Sequence, residues 1–153
     1  MQTILASALP TGVSTLRPAP AAVVQAGAIC YRRARATDGY DVLLISGRST
    51  GRWGIPKGHL EAGETTKGAA AREAFEEAGV VGVATEHSVG GFTYSKDDDA
   101  LVYRVRVHLI AVRAIASDYP ERSVRSSRWV PASIAAYEVG QPGLRNLLVR
   151  ILG

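Results

Sequence analysis

The chain has 153 residues, of which 46% are hydrophobic and 21% charged, with a formal net charge of +4. That suits one globular domain with a buried core and leaves little room for a second. No apolar run approaches the ~18 residues of a membrane span, no basic run or interleaved aromatic strip gives a nucleic-acid footprint, and the lone Cys30 rules out an internal disulfide framework.

In chain order, Met1 to Ala22 is rich in Ala, Pro, Ser and Thr, with Arg17 its only charged side chain. It lacks the basic start of a secretory signal, so residues 1–20 read as a flexible tail and 21–153 as the domain, in a cytoplasmic protein. Val23 to Arg32 reads as a strand, Asp38-Gly39 as a turn and Tyr40 to Ile45 as a second strand. Cys30 falls in that first apolar strand, where a small core residue is the expected role.

Gly47 to Gly63 is loop-like, punctuated by Gly51, Gly54, Pro56 and Gly58. A helix is expected over Lys67–Ala78, capped by Thr66 and stopped by Gly79. Val89 to Tyr94 reads as a short strand, Lys96 to Asp99 as an acidic solvated turn, and Leu101 to Val112 as the longest strand pattern after it. There Tyr103, Val105, Val107 and Leu109 alternate with Arg104, Arg106 and His108, which share the other face. Ser117 to Arg128 reads as a loop, Pro131 as the opening of a short helix, and Leu144, Leu147, Leu148 and Ile151 as the buried stripe of a terminal helix. Strands mixed with two or three helices imply an α/β fold, a sheet covered by helices.

The chemistry concentrates in the segment Gly58 to Val80. At ~100° per residue, Ala71, Ala74, Phe75 and Ala78 form an apolar stripe of the helix, and Glu73, Glu76 and Glu77 lie on the opposite side within roughly 100° of arc. Three carboxylates on one arc repel one another unless compensated. A hard divalent cation compensates them, because Mg²⁺ takes oxygen ligands and shares them with phosphate and water. Taken alone, the same three glutamates also fit an ordinary solvated face.

The spacing is more specific than the glutamates alone. Gly58, five residues, Glu64, seven residues, Arg72-Glu73, Ala74, one residue, Glu76-Glu77, one residue, Gly79 and Val80 follow one another over 23 positions. This pattern resembles the Nudix box, matching it at every fixed position. The resemblance implies a Nudix-type α/β/α sandwich with a mixed sheet, and an enzyme that hydrolyses phosphoric anhydrides with Mg²⁺, for which Mn²⁺ can substitute. It implies metal ligation by Glu73, Glu77 and Glu76 and by the backbone carbonyl of Lys57. Proton transfer would fall to Glu76 or Glu73. Gly58, Glu64, Arg72 and Gly79 would be structural, with Glu64 and Arg72 paired to tie loop to helix.

Substrate choice lies outside the box. Pro56-Lys-Gly-His59 followed by Leu60 and Glu61, and the later Arg128-Trp-Val-Pro and Gln141-Pro-Gly-Leu-Arg-Asn, resemble Nudix enzymes acting on dinucleoside polyphosphates and diphosphoinositol polyphosphates. Candidate substrate cations are Lys57, His59, Arg52, Arg32 and Arg104, with Arg33, Arg48 and Arg106 behind them. His59 suits a loop or phosphate role better than metal, since an oxygen-rich site favours a hard ion. Glu121 is a further candidate carboxylate, crowded by Arg122, Arg125 and Arg128. Trp53 and Trp129 read as base-stacking or core residues.

The leading expectation is hydrolysis of a diphosphate linkage in a dinucleoside polyphosphate or diphosphoinositol polyphosphate. The alternatives are a nucleoside triphosphate pyrophosphohydrolase that removes oxidised nucleotides, and a non-catalytic nucleotide sensor. The expected partner is a small polyphosphate, with no nucleic acid and no membrane, and the protein a monomer or homodimer.

Overall fold

The structure, a computed structural model, describes residues 21–48, 50–96 and 100–152. The expected tail and Asp97–Asp99 of the acidic turn lie outside the described residues. In order, the elements are β1 (Ala22–Arg33), β2 (Tyr40–Ser46), β3 (Trp53–Gly54), β4 (Lys57–His59), α1 (Thr66–Ala78), β5 (Val80–Val81), β6 (Gly90–Ser95), β7 (Val102–Ala111), β8 (Ala114–Ile115), β9 (Ser127–Pro131), α2 (Ala132–Glu138) and α3 (Pro142–Leu152).

The main sheet runs β3-β2-β1-β7-β6, with β4 added to β1 and β9 to β2. β1 and β7 are parallel over Ala22↔Val102 to Tyr31↔Ala111, and the other pairs are antiparallel, so the sheet is mixed. Gln25 through Cys30 are all buried, as a central strand covered on both faces requires. Burial pushes the Cys30 thiol up to about 12, which makes it an inert core residue.

Alternation sorts the core into two layers. Ala26, Ala28, Cys30, Leu43 and Ile45 face α1, meeting Ala69, Ala70, Ala74 and Ala78. Ile29, Val42, Leu44, Val105 and Val107 face α2 and α3. Leu144, Leu147 and Leu148 of α3 are essentially inaccessible, and such a side chain contributes about 1.5–3 kcal/mol. The result is helix, sheet, helix.

Two expectations are corrected. The N-cap of α1 is Thr65, whose hydroxyl accepts from Gly68 N at 3.1 Å. Thr66, one residue on, lies 2.8 Å from His108 Nε2, while His108 Nδ1 donates to Thr85 O at 2.7 Å. His108 is therefore buried under the start of α1, while Arg104 and Arg106, on the same face of β7, stay exposed. The apolar stripe of α1 is also turned: Phe75 is 40% exposed, whereas Glu73 and Glu77 are 8% and 6% exposed. Ala69, Ala70, Ala74 and Ala78 form the face that α1 lays on the sheet, and Glu73 and Glu77 are buried beside it.

Gly79 closes α1 in the left-handed region, at φ 69°, with its N–H donating to Ala74 O and Phe75 O. Within the expected loop 47–63 lie the short β3 and β4, and β9 begins inside the expected loop 117–128. Among the described residues no helix is long and apolar enough to cross a membrane.

Candidate active site

A cleft of about 1040 Å³ opens where β4, the 46–54 loop, the end of β6 and the loop after β8 meet the flank of α1. β4 holds the backbone of Lys57 and Gly58 against β1, through Gly27↔Lys57 and Ala26↔Gly58. That places Gly58 directly beneath the Glu73 carboxylate. A Cβ at position 58 would overlap this carboxylate, so the glycine is what lets α1 approach β4.

Arg72 is the hub of the α1 edge. Its Nε and Nη2 donate to the two oxygens of Glu64 at 2.9 and 2.8 Å, a bidentate pair, and Nη2 also donates to His59 O at 2.9 Å. Its Nη1 reaches Glu73 at 2.8 Å and Glu76 at 3.3 Å. The expected pairing of Glu64 with Arg72 is thus formed, and it ties the loop after β4 to the helix. The same pair holds the Glu64 carboxyl down at about 2.

Glu77 is the deepest carboxylate. It accepts from Lys57 N at 3.2 Å and from Arg125 Nη2 at 3.2 Å. Burial pushes it up to about 8, and the neighbouring Glu73 adds to this, against the opposing pull of Arg125. Arg125 also donates to Ser46 O at 3.0 Å and stands 3.5 Å from Glu121, which Glu76 O anchors through the Glu121 N–H at 2.9 Å.

Across the cleft, Tyr94 and Tyr103 stack with centroids 4.9 Å apart. Tyr94 OH donates to Gln25 at 2.8 Å. Lys57 Nζ stands 4.7 Å from the Tyr94 ring and Lys96 Nζ 4.7 Å from the Tyr103 ring. Burial lowers the pKa of Lys57, with Glu77 as the main opposing influence.

Of the residues singled out from sequence, Glu73, Glu77, Gly58, Arg72, Lys57, His59 and Arg52 line the cleft. Glu76 is not among the lining residues; 37% of its side chain is exposed, and it pairs with Arg72 at 3.3 Å. Two substrate candidates fall elsewhere. Arg32 is engaged by Asp41 at 3.5 Å and by the Trp129 ring at 4.0 Å. Arg104 is carried by the strand alternation onto the sheet face opposite Tyr103, outside the cleft lining. Trp53 lines the cleft with Arg128 over its ring at 4.5 Å, whereas Trp129 does not. Sequence reasoning missed Arg125, Lys96 and the tyrosine pair. Nothing in the loop composition separates Arg125 from Arg122 or Arg128, and Lys96 sits beside an acidic run that reads as solvated.

The donor set fits a hard cation. Glu73 and Glu77 stand one turn apart, Glu121 faces the same cleft, and burial disfavours the charged form of Glu77 despite Arg125, a cost that a bound cation would relieve. Among the described residues no three His, Cys, Asp or Glu side chains converge in ligating range. Instead, Glu73 is turned to Arg72 and Glu77 to Arg125.

The fold is thus an α/β/α sandwich whose sheet-edge cleft joins buried glutamates to lysines. The NUDIX domain family model matches residues 23–150, and the chain belongs to the Nudix family. It is 36% identical over 98 residues to the Bos taurus diphosphoinositol polyphosphate phosphohydrolase 3-beta, covering 63% of this chain and 56% of that protein. It is 33% identical over 111 residues to Nudix hydrolase 21, chloroplastic, of Arabidopsis thaliana, covering 71% and 56% respectively. The match therefore spans little more than half the length of these relatives. Among solved structures, the C. elegans Ap4A hydrolase superposes with a TM-score of 0.68 at 22% identity, covering 85% of this chain and 96% of that one. At that identity the likeness shows the fold.

Proposed function

We propose that the chain hydrolyses a diphosphate linkage in a dinucleoside polyphosphate or a diphosphoinositol polyphosphate, with Mg²⁺ as cofactor. The observation that carries this reading is the cleft itself, with Glu73 and Glu77 on one wall and Lys57, Lys96 and Arg52 around the other. The likeness to the bovine diphosphoinositol polyphosphate phosphohydrolase 3-beta supports the substrate class.

Glu73, Glu77, Glu76 and the Lys57 carbonyl would hold the ion, with Glu121 close by. When bound, it cancels phosphate charge and lowers the pKa of a coordinated water. The chain's own residues do the rest. Lys57 and Lys96 neutralise the phosphates that do not react, and as cations in a half-buried cleft they act at low dielectric. Glu76 or Glu73 takes the proton from the attacking water, directly or through one further water. Arg72 positions both of these carboxylates, and Gly58, having no side chain, leaves the Glu73 carboxylate its place.

The test is kcat/KM across a panel of dinucleoside polyphosphates, diphosphoinositol polyphosphates and normal and oxidised nucleoside triphosphates, with products identified by mass. Turnover must vanish on chelation and return with Mg²⁺ or Mn²⁺. Full activity after exhaustive chelation refutes the metal assignment. A preference for oxidised dGTP of tenfold or more, about 1.4 kcal/mol in transition-state binding, replaces this reading with a nucleotide-cleaning one.

A further inference from the structure

Arg104 and Arg106, which the strand pleat turns away from the cleft, are not simply two solvated charges. They line a second depression of about 600 Å³ at the β6 edge together with Arg150 of α3. Its remaining walls are neutral: Thr93 and Asn146 offer polar atoms, and Phe92, Leu147 and the glycines Gly91 and Gly143 form the rest. No aspartate or glutamate lines it, and no ion pair joins any of the three arginines to a described residue. Arg72, Arg125 and Arg128, by contrast, are each matched to a carboxylate.

The position of the charges is set by the fold. Arg104 and Arg106 are alternate residues of β7, opposite Thr93 and Gly91 of β6. Arg150 reaches the same edge from the other side of the sheet. Its Nη2 stands 3.3 Å from where a Cβ would be on Gly90, so the missing side chain there leaves the guanidinium its place. Three arginines from two elements thus line one depression whose wall holds no carboxylate, an arrangement that raises the local potential for anions.

We propose that this depression is a second anion site, separate from the hydrolytic cleft, that takes a small oligophosphate of about three linked phosphates. The guanidinium fork pairs bidentately with phosphate oxygens, and three forks around one concavity match several adjacent phosphates rather than one carboxylate. The concavity holds a compact ligand; an extended strand of nucleic acid would need the charges laid along a groove. Because the arginines are exposed, binding weakens as salt rises and the Debye length shrinks. The proposal does not depend on the hydrolytic reading.

The experiment follows backbone amide resonances of the full chain while a methylene-bridged, uncleavable tripolyphosphate analogue is added. Saturable shifts are expected at Gly91, Thr93 and Asn146, with a dissociation constant distinct from that read at His59 in the cleft. The double variant Arg106→Ala/Arg150→Ala should weaken the first set at least tenfold and leave the His59 titration unchanged. Arg150→Ala alone, at an exposed helix position with little bearing on folding, should weaken it at least threefold. Shifts confined to the cleft, or unchanged affinity in Arg150→Ala, overturn the proposal. So does a thymidine oligonucleotide that binds through these arginines more tightly than the analogue, which would make the patch a nucleic-acid surface.

Discussion

Gly58 and Gly79 are both fixed by what a side chain would strike, but the consequences differ. At Gly58 the obstacle is the Glu73 carboxylate, the far end of a flexible side chain. Gly58→Ala should therefore leave the fold standing and push Glu73 aside. The expected result is a nearly unchanged melting temperature with kcat/KM down at least ~10-fold, about 1.4 kcal/mol of transition-state binding. At Gly79 the backbone is left-handed at φ 69° and the Tyr119 ring fills the side-chain position. Gly79→Ala should cost about 1–2 kcal/mol in stability from the backbone alone, a fall of several degrees in Tm, with turnover per folded molecule retained. Thermal scans beside steady-state kinetics separate the two. Glu64 belongs at this scale as well. Its carboxyl is held at about 2 by Arg72, below its unfolded value, so its contribution is complete above about pH 4.5 and is lost as pH falls towards 2. Glu64→Gln should thus cost roughly 1–2 kcal/mol at pH 7, the range of a charge-assisted pair that is partly exposed. The deficit should shrink between pH 4.5 and 3, read from urea midpoints. A deficit that is constant with pH would mean that the Arg72 pairing is not its source.

At the scale of elements, α1 carries most of the site, and it shows which features a linear sequence displays. The spacing of Gly58, Glu64, Arg72, Glu73, Glu76, Glu77 and Gly79 is legible because each residue meets another near it in the chain: loop to helix, helix to its own cap. The rotation of α1 is not legible. A helical wheel balances Phe75 against Glu73 and Glu77, but the outcome depends on alanines packing against Ala26 and Ala28, residues some forty positions earlier. β3 and β4 are too short for a periodic signal, and their pairing is decided by β2 and β1. Arg125 reaches Glu77 over 48 residues, and Lys96 reaches Tyr103 across a hairpin, so neither contact leaves a local trace. The same rotation separates the three glutamates. Glu73 and Glu77 are buried in the cleft wall, and Glu76 is more exposed and paired with Arg72. We therefore expect Glu73→Gln and Glu77→Gln to raise the Mg²⁺ concentration needed for half-maximal turnover, since each removes a charge from an oxygen site. Glu76→Gln should instead lower kcat at least ~100-fold at saturating Mg²⁺ if Glu76 is the base. Near-native turnover in Glu76→Gln, with the circular dichroism spectrum intact, would move the proton transfer to Glu73.

Across the whole molecule, strand alternation sorts residues of β6 and β7 between the two sheet faces. Arg104 and Arg106 go to one face, and Tyr94 and Tyr103, with Lys57 and Lys96 above them, go to the other. The cleft thus carries glutamates on its α1 wall and lysines over the tyrosine pair, a combination suited to a chain of phosphates with one end at the carboxylates. Each further phosphate brings charge, and each lysine within reach can add a charge-assisted hydrogen bond. A substrate short enough to reach only the α1 wall gains little from Lys57 Nζ, which stands over Tyr94. Lys57→Ala should consequently lower kcat/KM for dinucleoside penta- and hexaphosphates more than for a nucleoside triphosphate. We expect the ratio of the two effects to reach at least ~10-fold, the equivalent of about 1.4 kcal/mol. The backbone N–H of Lys57 that serves Glu77 survives the substitution, as does its carbonyl, so metal dependence should not move. If Lys57→Ala depresses all substrates equally, Lys57 acts on the reacting phosphate and not on the tail, and the length preference must come from Lys96 or Arg52 instead.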